Sequence, residues 1–305
     1  MEWLHENKND FADAINLASE RNGVLPAVVE KDYYVTVILR CLSNRLDYVV
    51  FKGGTSLSKC HKVIKRFSED IDITIDKNLT QSQKRELKQT IKEVAEKLGL
   101  RIPNINLLRS RRSYNRYILE YDSVVTEQDE AIQTAVLLET SFAEISFPTV
   151  RMSVHSYIGD LMYEEAPGQS ENYGLDLFEM KVQGIDRTLV DKVFAICDYY
   201  MLGKVKKYSR HIYDIYKLIQ IVPQNDAFKE LIQQVRLERA KTNICPSAQP
   251  EIDIPDTLMA IVKNEVFKED YRSITSRILE EPISYETAIQ AVKKIAESGC
   301  FDSLS

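Results

Sequence analysis

The sequence predicts an α+β protein: a small mixed β-sheet flanked by helices, followed by a mainly helical C-terminal domain. Three observations carry this. Glycine and proline number only 10 and 9 in 305 residues, which disfavours turn-rich sandwiches and low-complexity chains. Residues 70–76 alternate isoleucine with polar side chains, the period-two mark of a half-buried strand. Beyond a short strand at 178–182, apolar residues recur at helical spacing in one segment after another.

The elements follow in order. Phe11, Ile15, Leu17 and Ala18, then Val28, Val29, Tyr33, Val37 and Leu39, mark two opening helices, with Pro26 in the first turn of the second. Tyr48 to Phe51 is a short β-branched and aromatic run ending at Gly53-Gly54, hence a strand. A helix capped by Thr55-Ser56 follows, with Leu57, Cys60 and Ile64 on its apolar stripe. In the next strand Ile71, Ile73 and Ile75 point one way, and Asp70, Asp72, Thr74 and Asp76 the other. Residues 79–98 form an amphipathic helix stopped by Gly99. Residues 116–121 and 134–142 read as strands, and 149–162 fits strand or helix. The polar stretch 164–174, with Pro167-Gly168, reads as a linker or exposed loop. The expected domains are therefore 1–165 and 166–305. Helices then centre on Val190–Met201 and Ile212–Ile219, and cover 227–241, 255–267 and 285–297.

Composition excludes several classes. The net charge of −6 argues against bulk nucleic-acid coating but leaves room for a local basic groove. Five Lys/Arg and no acid occupy 52–66, and five Arg and no acid occupy 101–118. The five cysteines (Cys41, Cys60, Cys197, Cys245 and Cys300) are widely spaced and form no CxxC pair, so neither a disulfide framework nor a zinc module is expected. Cys60 and Cys197 fall on apolar stripes and read as core. No apolar window reaches membrane-spanning length, and the charged N-terminus lacks the apolar run of a signal peptide. A protein of the reducing cytoplasm, with no membrane partner, is expected.

The chemistry concentrates in Phe51-Lys-Gly-Gly-Thr-Ser-Leu-Ser-Lys59 and Ser68-Glu-Asp-Ile-Asp72. Gly53 and Gly54 sit where a strand turns into a helix, and a missing Cβ lets backbone approach a ligand. Thr55 and Ser56 bring hydroxyls and N–H groups to the helix start, which suits phosphate. Asp70 and Asp72 share one strand face about 6.5–7 Å apart along the chain, so their carboxylates can converge on divalent cations. Hard oxygen ligands of this kind suit Mg²⁺ shared with substrate phosphates. A polar strand face in water gives the same alternation; the glycine turn upstream is what favours a site. An EF-hand fails, since the sixth position from Asp70 is not glycine and the twelfth is Gln81, and no GxxxxGK[ST] P-loop is present.

These residues carry a resemblance. Gly53-Gly-Thr-Ser-Leu-Ser-Lys59 followed by Arg66-Phe-Ser-Glu-Asp-Ile-Asp72 resembles the signature of the AbiEii/AbiGii-type nucleotidyltransferase toxins, within the DNA polymerase β-like nucleotidyltransferase superfamily. Glu30-Lys-Asp-Tyr33 resembles the family's N-terminal helix, Arg187-Thr-Leu-Val-Asp-Lys192 its third motif, and Ser209-Arg-His-Ile-Tyr-Asp214 its fourth. Asp191 stands where the family more often has Glu.

The resemblance implies transfer of a nucleoside monophosphate from an NTP to an acceptor. Relatives are toxins of toxin–antitoxin pairs, some extending tRNA 3′ ends, so an RNA acceptor (tRNA foremost) and a cognate antitoxin are expected partners. Asp70 and Asp72 would hold Mg²⁺, with Mn²⁺ an alternative. Glu139, ahead of Glu120, is the choice for a third sheet carboxylate at the metal. Gly53, Gly54, Thr55, Ser56, Lys59 and Arg210 are the nucleotide-binding set. Lys192 would bring a cation to the phosphates. Asp214 would orient the acceptor hydroxyl, complete the metal environment or hold Lys192; Arg210 would meet a phosphate or bond to Asp214. Arg109, Arg111, Arg112 and Arg116, interleaved with Tyr114 and Tyr117, fit an RNA backbone or a solvated loop. His211 falls in the fourth block, while His5, His61 and His155 show no metal spacing. A protein or small-molecule acceptor such as an antibiotic, and a non-catalytic nucleotide- or partner-binding module, are the alternative functions.

Overall fold

A computed structural model describes residues 2–126, 132–242 and 244–302. The chain divides into two compact units: residues 1–60 with 69–182, and residues 61–68 with 183–305.

The first unit opens with helices α1 (Lys8–Asn22) and α2 (Pro26–Ser43). The Asn7 side chain accepts the Asp10 N–H at the start of α1, and Gly23 ends it at φ 64°, where a side chain would be strained. Then come β1 (Val49–Lys52), α3 (Gly53–Lys59), β2 (Ile71–Ile75) and α4 (Gln81–Lys97). Thr80 and Gln83 form a reciprocal capping box on α4. Strands β3 (Tyr114–Glu120), β4 (Ala135–Ile145) and β5 (Thr149–Val154) follow, then α5 (Tyr157–Glu165), α6 (Pro167–Asn172) and β6 (Phe178–Gln183).

The six strands form one mixed sheet in the order β3-β4-β2-β1-β6-β5. β1 runs antiparallel to β2 and parallel to β6; β2 is parallel to β4, and β3 antiparallel to β4. The core gathers Phe11, Tyr33, Val37, Phe51, Ile71, Ile73, Leu87, Ile91 and Leu138, all buried. Each lies on a stripe whose period matches its element, which is why helix and sheet face each other.

The second unit contains α7 (Ile185–Met201), α8 (Arg210–Leu218), α9 (Asp226–Ala240), α10 (Ile254–Asn264), α11 (Lys268–Ser273) and α12 (Tyr285–Ala296). Helix α8 packs between α7 and α12. The stripes Val193–Phe194–Cys197 and Ile212–Ile215 are fully buried. The segment 61–68 joins this unit through backbone: Phe67 N–H donates to Ile278 O (2.9 Å) and Glu280 N–H to Lys65 O (3.1 Å).

Three expectations change. The 164–174 stretch is not a linker: it holds α6, and the chain returns to the sheet as β6 before the units divide. Polar composition marked a surface segment there, not a boundary. Residues 149–162 are a strand and then a helix, separated by the Ser156 N-cap, whose hydroxyl accepts the Gly159 N–H at 2.9 Å. Thr55 and Ser56 do not cap α3: Lys52 is the N-cap, and the glycine pair itself forms the first turn. Among the described residues, no helix is long and apolar enough to cross a membrane.

Candidate active site

The first unit builds its site on one row of the sheet. Pairing sets Lys52 of β1 opposite Asp72 of β2, Asp72 beside Glu139 of β4, and Glu139 opposite Arg116 of β3. Residues in one row project to the same face. Two carboxylates and two cations therefore alternate across four neighbouring strands.

At the β1–α3 turn, Gly53 takes φ 82°. A Cβ there would collide with the Asp72 carboxylate, standing 2.9 Å from Cγ and overlapping Oδ2. Only glycine offers both that dihedral and that space. Asp72 is half-buried, as is Asp70 just before the strand. Ser56 is fully buried and its hydroxyl donates to Gly53 O at 2.9 Å, so it closes the turn internally; Thr55 is 2% exposed.

The polar face of β2 is not uniformly open. Thr74 is buried, and its hydroxyl donates to Ser141 O (3.0 Å) and Glu144 O (3.1 Å). Asp76 pairs with Lys181. The strand thus offers chemistry at its Asp70–Asp72 end.

Helix α2 braces both motifs through consecutive residues. Glu30 accepts from Ser123 Oγ (2.6 Å) and Val124 N–H (2.7 Å). Lys31 pairs with Glu69, the residue before Asp70. Asp32 pairs with Lys59 at the end of α3 and also accepts the Tyr157 N–H at 3.0 Å. Tyr33 bonds His5 Nδ1 at 2.8 Å. Lys59, expected among the nucleotide ligands, is 6% exposed and engaged by Asp32, so it is a tether of α3 to α2. Lys31 and Asp32 were missed as positioning residues because their partners lie 38 and 27 residues away, beyond any local pattern.

Glu139 also differs from expectation. It lies in register beside Asp72, whereas Glu120 sits at the far end of β3, opposite Ala135. Its carboxylate nevertheless accepts from Arg116 Nε at 2.7 Å. Among the described residues no three His, Cys, Asp or Glu side chains gather as a ready metal centre. Glu139 pairs with Arg116, while Asp70 and Asp72 are the other carboxylates at this end of β2. The donor set still fits Mg²⁺, which takes one or two protein carboxylates and completes its shell with phosphate and water. The absent Cβ at Gly53 is what makes room for the Asp72 end of that set.

The second unit holds a separate charged cluster. Arg66 donates to both oxygens of Asp214, from Nε (2.7 Å) and Nη2 (2.9 Å). Lys192 Nζ stands 2.9 Å from Asp214 Oδ2. The Asp214 side chain has no exposed surface, whereas Lys192 retains 9% of its own. Burial alone would raise the Asp214 pKa, but the adjacent Arg66 and Lys192 charges hold its carboxyl well below the usual range. Burial also lowers Lys192, with Arg66 adding repulsion and Asp214 opposing. Of the roles open to Asp214, the structure favours holding Lys192. A carboxylate without surface is a positioning residue rather than one that touches substrate or metal. Arg66 occupies both oxygens that Arg210 was considered for; Arg210 is half-buried at the start of α8.

Around this cluster, Asp191 accepts from Arg187 Nε (3.0 Å) and Gln183 Nε2 (3.0 Å) and pairs with Arg239 (3.3 Å). His211 stacks on Tyr199, centroids 5.7 Å apart, and its buried Nδ1 has no hydrogen-bond partner among the described residues. His61 Nε2 meets Gln183 O at 3.0 Å, and His155 Nδ1 meets Asp160 at 3.0 Å. Burial pushes the Cys60 thiol up to about 12, as befits a core cysteine. The expected acceptor arginines do not form one patch. Arg116 belongs to the sheet row, Arg109 and Arg112 donate to carbonyls of their own loop, and Arg111 is exposed.

Comparison with known proteins adds two findings. A family model described as "Nucleotidyl transferase AbiEii toxin, Type IV TA system" matches residues 37–294. Among solved structures, the chain is similar to MenT4, the nucleotidyltransferase toxin Rv2826c from Mycobacterium tuberculosis H37Rv. That likeness has a TM-score of 0.50 and 16% identity, covering 93% of this chain and 88% of that one, and it speaks for the fold. No curated protein sequence matches the chain.

Proposed function

Because the chain belongs to the AbiEii nucleotidyltransferase toxin family of type IV toxin–antitoxin systems, we propose that it transfers a nucleoside monophosphate from an NTP to an RNA acceptor, tRNA foremost, in a Mg²⁺-dependent reaction. The observation that carries this reading is the Gly53–Asp72 fit: a side-chain-free turn beside a half-buried carboxylate on the strand that Asp70 leads.

In this reading Asp70 and Asp72 hold Mg²⁺, with Mn²⁺ a substitute. When bound, the ion neutralises triphosphate charge and polarises the bond to the leaving pyrophosphate. The rest falls to the chain's own residues. The Gly53–Gly54 turn and the Thr55 end of α3 meet the phosphates through backbone. Lys31 and Asp32 keep the two motifs in place by holding Glu69 and Lys59. Lys192, held by Asp214, is the point charge this reading gives to the phosphates, joined by Arg210. Phosphoryl-type transfer needs positioning and charge neutralisation more than covalent help, so buried, pre-oriented charges suit it. The acceptor's oxygen forms its bond to the α-phosphorus as the bond to pyrophosphate breaks.

The reading is tested by incubating the protein with each labelled NTP, Mg²⁺ and total RNA, then resolving the RNA on a gel. Label in RNA that disappears with EDTA supports it. Label appearing only on protein or a small molecule assigns the acceptor elsewhere. NTP binding by calorimetry without turnover on any acceptor returns the chain to a binding module. A cognate antitoxin is the expected partner in the cell.

A further inference from the structure

We propose that the groove between α4 and the loop 105–110 is a docking site for the phosphate backbone of the RNA acceptor. The proposal rests on the RNA reading above and names the surface that would serve it.

The groove encloses about 500 Å³ and is lined by Arg85, Lys88 and Lys92 from α4 and by Arg109 from the loop, with Gln89, Asn106 and Ser110 among them. The three α4 cations recur at i, i+3 and i+7, which places them on one face of the helix. Two of the three acids of α4 have other partners: Glu86 lies by the Tyr48 hydroxyl (3.4 Å), and Glu93 pairs with Arg45 (2.5 Å) and accepts from Gln89 (2.9 Å). Among the described residues no carboxylate lines the groove.

The four cations converge on one groove, whereas many others of the unit are tied up in ion pairs. Lys31, Arg40, Arg45, Lys59, Arg116 and Lys181 all have carboxylate partners. Among the described residues Arg85, Lys88, Lys92 and Arg109 have none. Lys88 donates only to Leu108 O, at 2.8 Å. Its pKa is lowered first by burial and then by Arg109 and Lys92, so like charges crowd around it. A chain of net charge −6 that gathers unpaired cations in one groove has a surface complementary to an anion.

The shape favours a polyanion over a single ion. Residues 85 to 92 span about 10 Å of helix, longer than one phosphate group. Exposed Arg111 and Arg112 lie on the following turn, Arg112 donating to Leu107 O. That loop feeds β3, where exposed Tyr114 offers a ring on which a base can stack and Arg116 stands in the sheet row of Asp72. Arg116 is two strands from Asp72, about 10 Å at ordinary strand spacing. β3 is an edge strand of the sheet, so the path from the groove to the candidate carboxylates runs around that edge.

The test measures total-tRNA binding and transfer kinetics for wild type and Arg85→Gln/Lys88→Gln/Lys92→Gln, with Arg85→Gln alone as a milder variant and melting curves for both. The proposal expects weaker tRNA binding and a log–log salt dependence shallower by about 2 for the triple variant. It also expects a raised KM for RNA, an unchanged KM for NTP, and an intermediate effect of Arg85→Gln. A folded triple variant that binds tRNA as wild type, with the same salt slope, while wild type transfers label to RNA, overturns the groove and leaves the function standing. Wild type that neither binds nor labels RNA overturns both. Inorganic phosphate or pyrophosphate displacing tRNA from wild type only at the concentrations effective on the triple variant also counts against the groove.

Discussion

The carboxylate of Asp72 fills the space that a side chain at Gly53 would need. Two residues nineteen apart in sequence thus fit each other by shape, across a β1–β2 pair whose register sets Lys52 opposite Asp72.

Gly53→Ala tests this fit. The left-handed dihedral and the overlap with Asp72 cost stability, about 1–2 kcal/mol from the backbone alone. The larger expected effect is on transfer, since displacing a reacting group by about 1 Å can cost roughly 10²-fold. Urea unfolding and label transfer are measured on the same preparation. A rate that falls only with the folded fraction would show that the Asp72 position does not matter.

Lys192 and Asp214 should separate function from stability. Lys192→Met replaces a mostly buried ammonium by a side chain of similar volume and leaves the bidentate Arg66–Asp214 pair intact. Because Arg66 still compensates Asp214, the stability loss should stay below the roughly 3–5 kcal/mol of breaking a buried pair outright, whereas loss of an electrostatic donor costs about 3–4 kcal/mol in the transition state. Asp214→Asn leaves Arg66 and Lys192 buried without their counter-charge, with an expected loss of about 3–5 kcal/mol. Equal stability losses in the two variants would contradict the assignment of Asp214 as holder and Lys192 as held.

The β-sheet row and the α2 brace mark how far the sequence could be read. The alternation at 70–76, the glycine turn and the amphipathic pattern at 79–98 announced β2, the β1–α3 turn and α4, because each rests on local periodicity or a local dihedral. The charge partners were not local. Glu139 reads from the sequence as a third sheet carboxylate, but its register beside Asp72 and its pairing with Arg116 depend on strand pairing. Lys59 read as a ligand because nothing nearby revealed Asp32. Arg66 was visible in the motif but not as the partner of a residue 148 positions on.

The brace itself is testable. Lys31→Glu or Glu69→Lys alone should lower both the melting temperature and transfer, since Lys31 is buried against Glu69 and the pair orients the segment before Asp70. The double swap Lys31→Glu/Glu69→Lys should recover part of the lost rate. Additive losses in the double variant, read from a double-mutant cycle, would show that the two side chains do not act through each other.

His211 gives a pH signature. Burial first, then Lys192 and Arg210, press its pKa well below 6.5, against the pull of Asp214. A folded pKa below the unfolded value means stability is full above about pH 6.5 and falls as pH drops toward the folded value. The slope is at most about 1.4 kcal/mol per pH unit. His211→Phe keeps a ring against Tyr199 and removes the titration, so its stability between pH 6.5 and 4.5 should fall less steeply than that of wild type. Parallel curves would place His211 in ordinary solvent.

The most direct measurement compares wild type with Asp72→Ala for transfer of label from NTP to RNA in Mg²⁺, with circular dichroism confirming that both are folded. The account predicts label with wild type, none above background with the variant, and the same spectrum for each. A folded Asp72→Ala protein that labels RNA at the wild-type rate would contradict it.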